Sequence, residues 1–261
     1  MVPSACFRSP WGSRIGLAPL LTAMGLLLLS VPCCRRAPLR DEIVSPKPSG
    51  FQLPVEEVSE ADLARLSALL EENPGDPDVE RELGIVYQRL SPPDRWAYLD
   101  EAIRHLEAAR EKLPEDVKLL VYLGLSRAAK ARDGSVPLLE KWALARRGFE
   151  FLDQALALDP ENFSARLLRA KAQLLAPPIL GRGQTLKADE IRLTRFLTDP
   201  RPSLPKHLQI QGFLFLGDYE SIANKDAERA RIWWLRVAEA DTEGRLPEAV
   251  ERRLAGDIPE F

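Results

Sequence analysis

The chain has 261 residues with 36 basic and 39 acidic side chains, and its net charge of −3 leaves no overall basic footprint for nucleic acid. The chain is long enough to bury a continuous core. Its cysteines, Cys6, Cys33 and Cys34, all lie near the N-terminus, so the body that follows has neither a disulfide nor a cysteine metal site.

Residues 1–14 carry Arg8 and Arg14 and no acid. Ile15 to Val31 is then an uncharged, leucine-rich run, followed by Pro32, Cys33, Cys34, Arg35 and Arg36. Residues 1–36 are therefore expected to be an export or anchoring segment outside the fold. At 17 residues the run sits at the lower limit for a membrane span and is slightly long for a signal-peptide core, so length does not choose between them. A cysteine directly after such a run resembles the bacterial lipoprotein leader, in which the signal is cut before a cysteine that then carries lipid. The resemblance implies lipidation at Cys33, although Pro32 stands where that family has a small residue. Three fates stay open: a lipidated Cys33, an uncleaved membrane anchor, and secretion. The first two place the body at a membrane of the cell envelope, with a periplasmic location among the options. Residues 37–58 hold Pro38, Pro46, Pro48 and Pro54 among polar residues, which favours extended, semi-rigid backbone. This stretch reads either as a tether or as a remnant with no spacing role.

From residue 59 the pattern is helical. A first helix over 59–72 ends before Pro74, and further amphipathic stretches end at Pro114, Pro160 and Pro200, because proline disfavours helix in the residue before it and cannot continue one. Ten residues after the first three prolines come Gly84, Gly124 and Ala170, and twelve after the fourth comes Gly212. Each unit then has a second small residue, at Ala102, Gly148, Ala188 and Ala230. Small residues at matched points let two backbones approach closely. The frame therefore predicts four antiparallel helical hairpins crossing at Gly84–Ala102, Gly124–Gly148, Ala170–Ala188 and Gly212–Ala230. Residues 59–72 would cap the stack as a half repeat. A closing helix, with Leu246, Val250 and Leu254 inward, would expose Glu251, Arg252 and Arg253 as a polar outer face. The expected fold is all-α over 59–258.

In the first hairpin the frame reads Leu83-Gly84, Tyr87, Ala102, Leu106, Ala109 and Pro114, and in the second Leu123-Gly124, Leu152, Ala155 and Pro160. These residues resemble the tetratricopeptide repeat, which implies an α-solenoid of stacked hairpins. The third and fourth units are degenerate, with Arg192 and Arg195 where apolar and small residues are expected and Asp241-Thr242 in place of a closing proline. The step between the two small residues is 18 in three units and 24 in the second, longer than in the family, so each hairpin carries an insertion. The inserted stretches SPPDRWAYLD, ARDGSVPLLEKW and APPILGRGQTL favour loops packed on the body over helix extension. Loops around Trp96, Trp142 and Ile179 are thus a candidate binding face.

Motifs for chemistry are sparse. His105 and His207 lack metal-ligand spacing. Residues 181–185, GRGQT, lack the Gly-Lys-Ser/Thr ending of a phosphate loop and read as a connection. Carboxylates interleave with bases at helical spacing, as in Glu107, Arg110, Glu111 and Lys112, the pattern of a solvated face. No metal, cofactor or catalytic constellation is indicated, and a non-enzymatic protein is expected. The resemblance implies an inner groove lined by the first helix of each hairpin. On this frame its positions include Arg81, Ile85, Gln88 and Arg89, then Lys118, Val121 and Leu125, then Ser164, Leu167 and Lys171, then Lys206, Gln209 and Phe213. Arg81, Arg89, Lys118 and Lys171 would suit a peptide with acidic side chains or a free carboxylate, or would form a solvated face with no ligand. Trp233 neighbours Trp234 about 100° around the helix, so Trp234 packs inward and Trp233 is left for a partner or an edge. The expected function is an envelope-anchored protein–protein interaction module or assembly scaffold. The loop APPILGRG also resembles periplasmic lipoprotein components of tripartite solute transporters, which implies contact with a solute-binding protein as the alternative. A closed apolar cavity would favour that alternative; an open charged groove would favour the scaffold.

Overall fold

The structure is a computed structural model and describes residues 50–54, 57–91, 96–199, 204–240 and 247–256. The expected leader with Cys33, and residues 37–49 of the expected tether, lie outside the described residues. Among the described residues the regular structure is entirely helical, with no strand.

Ten α-helices follow one another: α1 Glu60–Glu72, α2 Pro77–Arg89, α3 Trp96–Arg110, α4 Val117–Lys130, α5 Leu138–Leu158, α6 Phe163–Leu174, α7 Gly183–Thr198, α8 Lys206–Tyr219, α9 Ala227–Ala240 and α10 Pro247–Leu254. Their starts are chemically marked. Ser59 and Asp62 form a capping box on α1. Asp76, Asp116 and Asn162 each stand two residues after a frame proline and accept backbone N–H groups at the starts of α2, α4 and α6. One short signal, proline then a capping Asp or Asn, thus closes one hairpin and opens the next. It fails at α8, whose start at Pro205 has no side-chain cap.

Each helix packs on the next, and the first helices of successive hairpins also touch, α2 on α4, α4 on α6 and α6 on α8. Two of the four predicted crossings are present. A Cβ on Gly84 would lie 3.0 Å from the Ala102 carbonyl oxygen, and one on Gly124 would lie 2.7 Å from that of Gly148. Only glycine admits such approach. Leu106, Leu119, Leu123 and Leu152, each at most 1% exposed, fill in around these crossings, each worth roughly 1.5–3 kcal/mol of burial.

The other two crossings are built differently. Ala188 is exposed, and α7 buries Leu186, Asp189, Glu190 and Leu193 instead. The nearest side chains to Gly212 are Leu197 of α7 and Phe163 of α6, while Gly217 is the residue that meets α9, against Trp234. The α8–α9 contact is therefore out of register with the first two hairpins. Arg192 and Arg195, which looked misplaced, are simply exposed. Arg253, expected on the outer face of the closing helix, is 6% exposed and donates to both Asp218 oxygens at 2.7 and 2.9 Å.

The second insertion also departs from expectation. In the second hairpin α5 begins at Leu138, so five of the inserted residues, LLEKW, extend the helix. In the third, Pro178–Leu180 form a 3-10 turn that ends in Gly181 at φ +67°, a left-handed conformation suited to glycine. Residues 51–53, near the end of the expected tether, pack on the helices. Phe51 packs edge-on against Tyr122 at 6.2 Å. The Phe51 carbonyl accepts from Asn162 Nδ2 at 3.0 Å, and the Leu53 N–H donates to Ser164 Oγ at 3.0 Å. His207 Nε2 lies 3.2 Å from the Leu53 carbonyl. This extended strap crosses α4 and the starts of α6 and α8.

Candidate functional site

A concavity of about 630 Å³ sits between the C-terminal halves of α4 and α6 and the N-terminal extension of α5. It exists because alanine replaces bulk where the helices face it. Ala128 and Ala129 of α4, Ala145 of α5 and Ala172 of α6 line it, and side chains of their size leave space that leucine would fill. Leu125, Trp142, Phe149, Leu168 and Leu175 form apolar walls, and Pro177, Ile179 and Leu180 of the inserted turn close one side. Leu138 and Ile179, 70% and 72% exposed, leave an apolar mouth. A smaller cleft of about 460 Å³ shares Trp142, Phe149, Ile179 and Leu180 and contains Arg146, Glu150, Asp153 and Arg182.

The charges of the main pocket are one-sided. Arg132, Lys141 and Lys171 line it, and no carboxylate does. Lys171 Nζ donates to Gln211 Oε1 at 2.8 Å. Burial lowers the pKa of Lys171 to about 8; the Asp218 carboxylate opposes that shift and Arg253 adds to it.

The residues predicted for the groove separate into three places. Gln88 and Lys171 come together in the pocket, joined by Leu125. Arg81 pairs with Asp78 and Asp116, both at 2.8 Å, and with Glu82, while Lys118 pairs with Glu82 at 2.7 Å. These two cations bind α2 to the start of α4. Arg89 is half-buried, and its charge acts on Tyr122 beneath the strap. Ile85, Val121, Ser164 and Leu167 are buried. Trp233 stacks on Phe213 at 6.1 Å, with Arg236 over its ring at 4.7 Å, as an edge aromatic of the α8–α9 core.

Sequence reasoning missed Arg132, Lys141 and the alanine walls, although Trp142 and Ile179 were singled out within the insertions. The signal was present: the second unit's longer step leaves its extra residues at one edge of α4 and α5. His105 is 3% exposed, lies against the Glu80 carboxylate and stacks on Tyr87 at 5.5 Å.

In two other charged clusters the carboxylates are fully engaged, although Arg166 Nε, Arg182 Nε and Gln173 Oε1 are buried without a hydrogen-bond partner. Asp189, fully buried, accepts from Arg166 at 2.8 Å and from Arg169 at 2.7 and 2.9 Å. Asp153 accepts from Arg169 and from both terminal nitrogens of Arg182. These bidentate forks tie α5, α6 and α7 together and consume the carboxylates' lone pairs. No group of three His, Cys, Asp or Glu side chains is gathered for a metal among the described residues, and none of their helices is long and apolar enough to cross a membrane. Comparison with protein-family models, curated proteins and solved structures finds no match to this chain.

Proposed function

We propose that the chain is a membrane-tethered, tetratricopeptide-like binding module whose site is the apolar pocket between α4, α5 and α6. The observation that carries this reading is the placement of the cavity, enclosed by the inserted residues of the second and third hairpins. Two facts support it over the basic groove. The inner face at the starts of α6 and α8 is already covered by the strap Phe51–Pro54. Arg81 and Lys118 are already engaged by carboxylates. Contacts between the first helices of successive hairpins, and the glycine crossings of the first two, support the solenoid arrangement. An apolar pocket of this volume lies in the range of small-ligand sites, about 300–1,000 Å³, which favours the solute-handling alternative over a purely scaffolding role.

The test is site-specific crosslinking in intact cells. A photoreactive phenylalanine analogue in place of Ile179 should give discrete adducts, and the same group in place of Lys118 should give none. Adducts from position 118 alone would return the site to the basic groove. Tethering is read separately. Intact-mass analysis of membrane-extracted protein should show lipid on Cys33. An unmodified Met1 start points to an uncleaved anchor, and a free, unlipidated start beyond residue 30 to secretion.

A further inference from the structure

The pocket and the strap recognise different things. Where this protein holds an extended backbone, it supplies a polar partner at nearly every step, as Asn162, Ser164 and His207 do for Phe51 and Leu53. A bound peptide needs such partners because each buried N–H and C=O must be satisfied. The only uncharged polar side-chain groups in the main pocket's lining are the Gln88 amide and the Trp142 indole N–H. The rest is hydrocarbon and cation. A methylene chain asks for no hydrogen bonds, and a single anionic end would complement the three cations in the lining.

We propose that the pocket binds a free long-chain carboxylic acid, its alkyl chain between α4, α5 and α6 and its carboxylate beside Lys171. The proposal rests on the reading of the pocket as the binding site and names the class of its ligand. Lys171 holds the head position because, of the three cations in the lining, it is the one on α6, half-buried, tied to Gln211 and flanked by Asp218 and Arg253. An anion there would offset the desolvation of the ammonium. Arg132 and Lys141, at the other edge beside the α5 extension, draw the acid towards the mouth.

The probe is palmitic acid carrying a mid-chain diazirine, photolysed with the full-length protein in phosphatidylcholine nanodiscs, with the adducts located by peptide mass spectrometry. Labelling is expected on the peptides containing Trp142, Ala172 and Ile179. Excess palmitate should compete and methyl palmitate should not. Shortening the competing acid should weaken it about two- to fourfold per methylene, the value of one partly to fully buried CH₂. Lys171→Met should weaken labelling about tenfold, as for a lost hydrogen bond to a charged group. Ala172→Trp, which fills the cavity, should abolish it. Should that variant fail to fold, Lys141→Glu, a change at a half-buried edge residue, should still reduce labelling. Labelling confined to other peptides, or unchanged in Lys171→Met and Lys141→Glu, overturns the proposal. If the matching photoreactive long-chain alcohol labels the pocket as well as the acid does, the carboxylate assignment falls while the binding reading stands. If neither labels it, both fall.

Discussion

In the second hairpin, α4 and α5 approach through Gly124 and Gly148, with a Cβ on either glycine 2.7 Å from the other's carbonyl oxygen. In the third, α6 and α7 are joined by Arg166 and Arg169 on the fully buried Asp189, and the alanine expected at the crossing, Ala188, faces solvent. The first contact is close van der Waals packing that tolerates no side chain. The second holds its helices by charge, and so carries a large penalty if either charge is lost. The pocket lies at the seam between these two constructions. Its α4 and α5 walls come from the glycine hairpin, and its α6 wall lies on the helix that the arginine clamp fixes.

The comparison breaks most visibly at the clamp. Asp189→Ala leaves the buried Arg166 without its carboxylate and takes one of two carboxylates from the half-buried Arg169, and should destabilise by about 3–5 kcal/mol in urea denaturation. Replacing Arg166 and Asp189 together by methionine and leucine should recover much of that loss, since a buried ion pair can be exchanged for apolar packing. A double variant as unstable as the single one would mean that the clamp does more than pair charge.

At the glycine crossing, Gly148→Ala places a methyl group against the Gly124 carbonyl oxygen and the Ala128 backbone nitrogen and should cost about 1–3 kcal/mol. Gly183→Ala is the control. Nothing lies within 4 Å of its Cβ position, and its effect should stay within about 0.5 kcal/mol. Equal effects at the two positions would contradict close approach as the basis of the second hairpin. The strap should be worth less. Ser164→Ala removes one hydrogen bond to the Leu53 N–H, about 1 kcal/mol, and should speed proteolysis near residues 50–54 without a comparable loss in the helical body.

The smallest expected stability effect is at Lys171, and it has a sign that pH reveals. Its pKa is lowered to about 8 from 10.5, so the unfolded chain binds more protons between those values. The wild-type penalty is full below pH 8 and is relieved as pH rises through that window. Lys171→Met should therefore stabilise slightly at pH 7, by less than about 1 kcal/mol because the bond to Gln211 is also lost, and the gain should shrink towards pH 10. Paired urea titrations at pH 7 and 9.5 check the sign.

Much of the fold was legible because its punctuation is local. Pro114 followed by Asp116 and Pro160 followed by Asn162 mark helix ends and starts through backbone geometry and capping, which need no tertiary partner. The crossings at Gly84 and Gly124 were legible for a related reason, since glycine inside a helix is unfavourable unless something must come close. The third crossing was not, because Arg166 and Asp189 are 23 residues apart and nothing local says that two charges will be buried together. The fourth misled, since Gly212 and Gly217 both sit on α8 and only tertiary packing selects the one facing α9. The strap was invisible for the same reason: Phe51 and Leu53 find partners 111 residues away or more. Of the site, the insertions were legible as an edge feature. The pocket was not, because a cavity records side chains that are absent.

The most direct measurement of the central claim is crosslinking from the photoreactive group at position 179, compared between the wild-type background and Ala172→Trp, with urea denaturation of both. The account predicts near-equal stability and loss of the position-179 adducts when the cavity is filled. Undiminished adducts from a folded Ala172→Trp protein would contradict it.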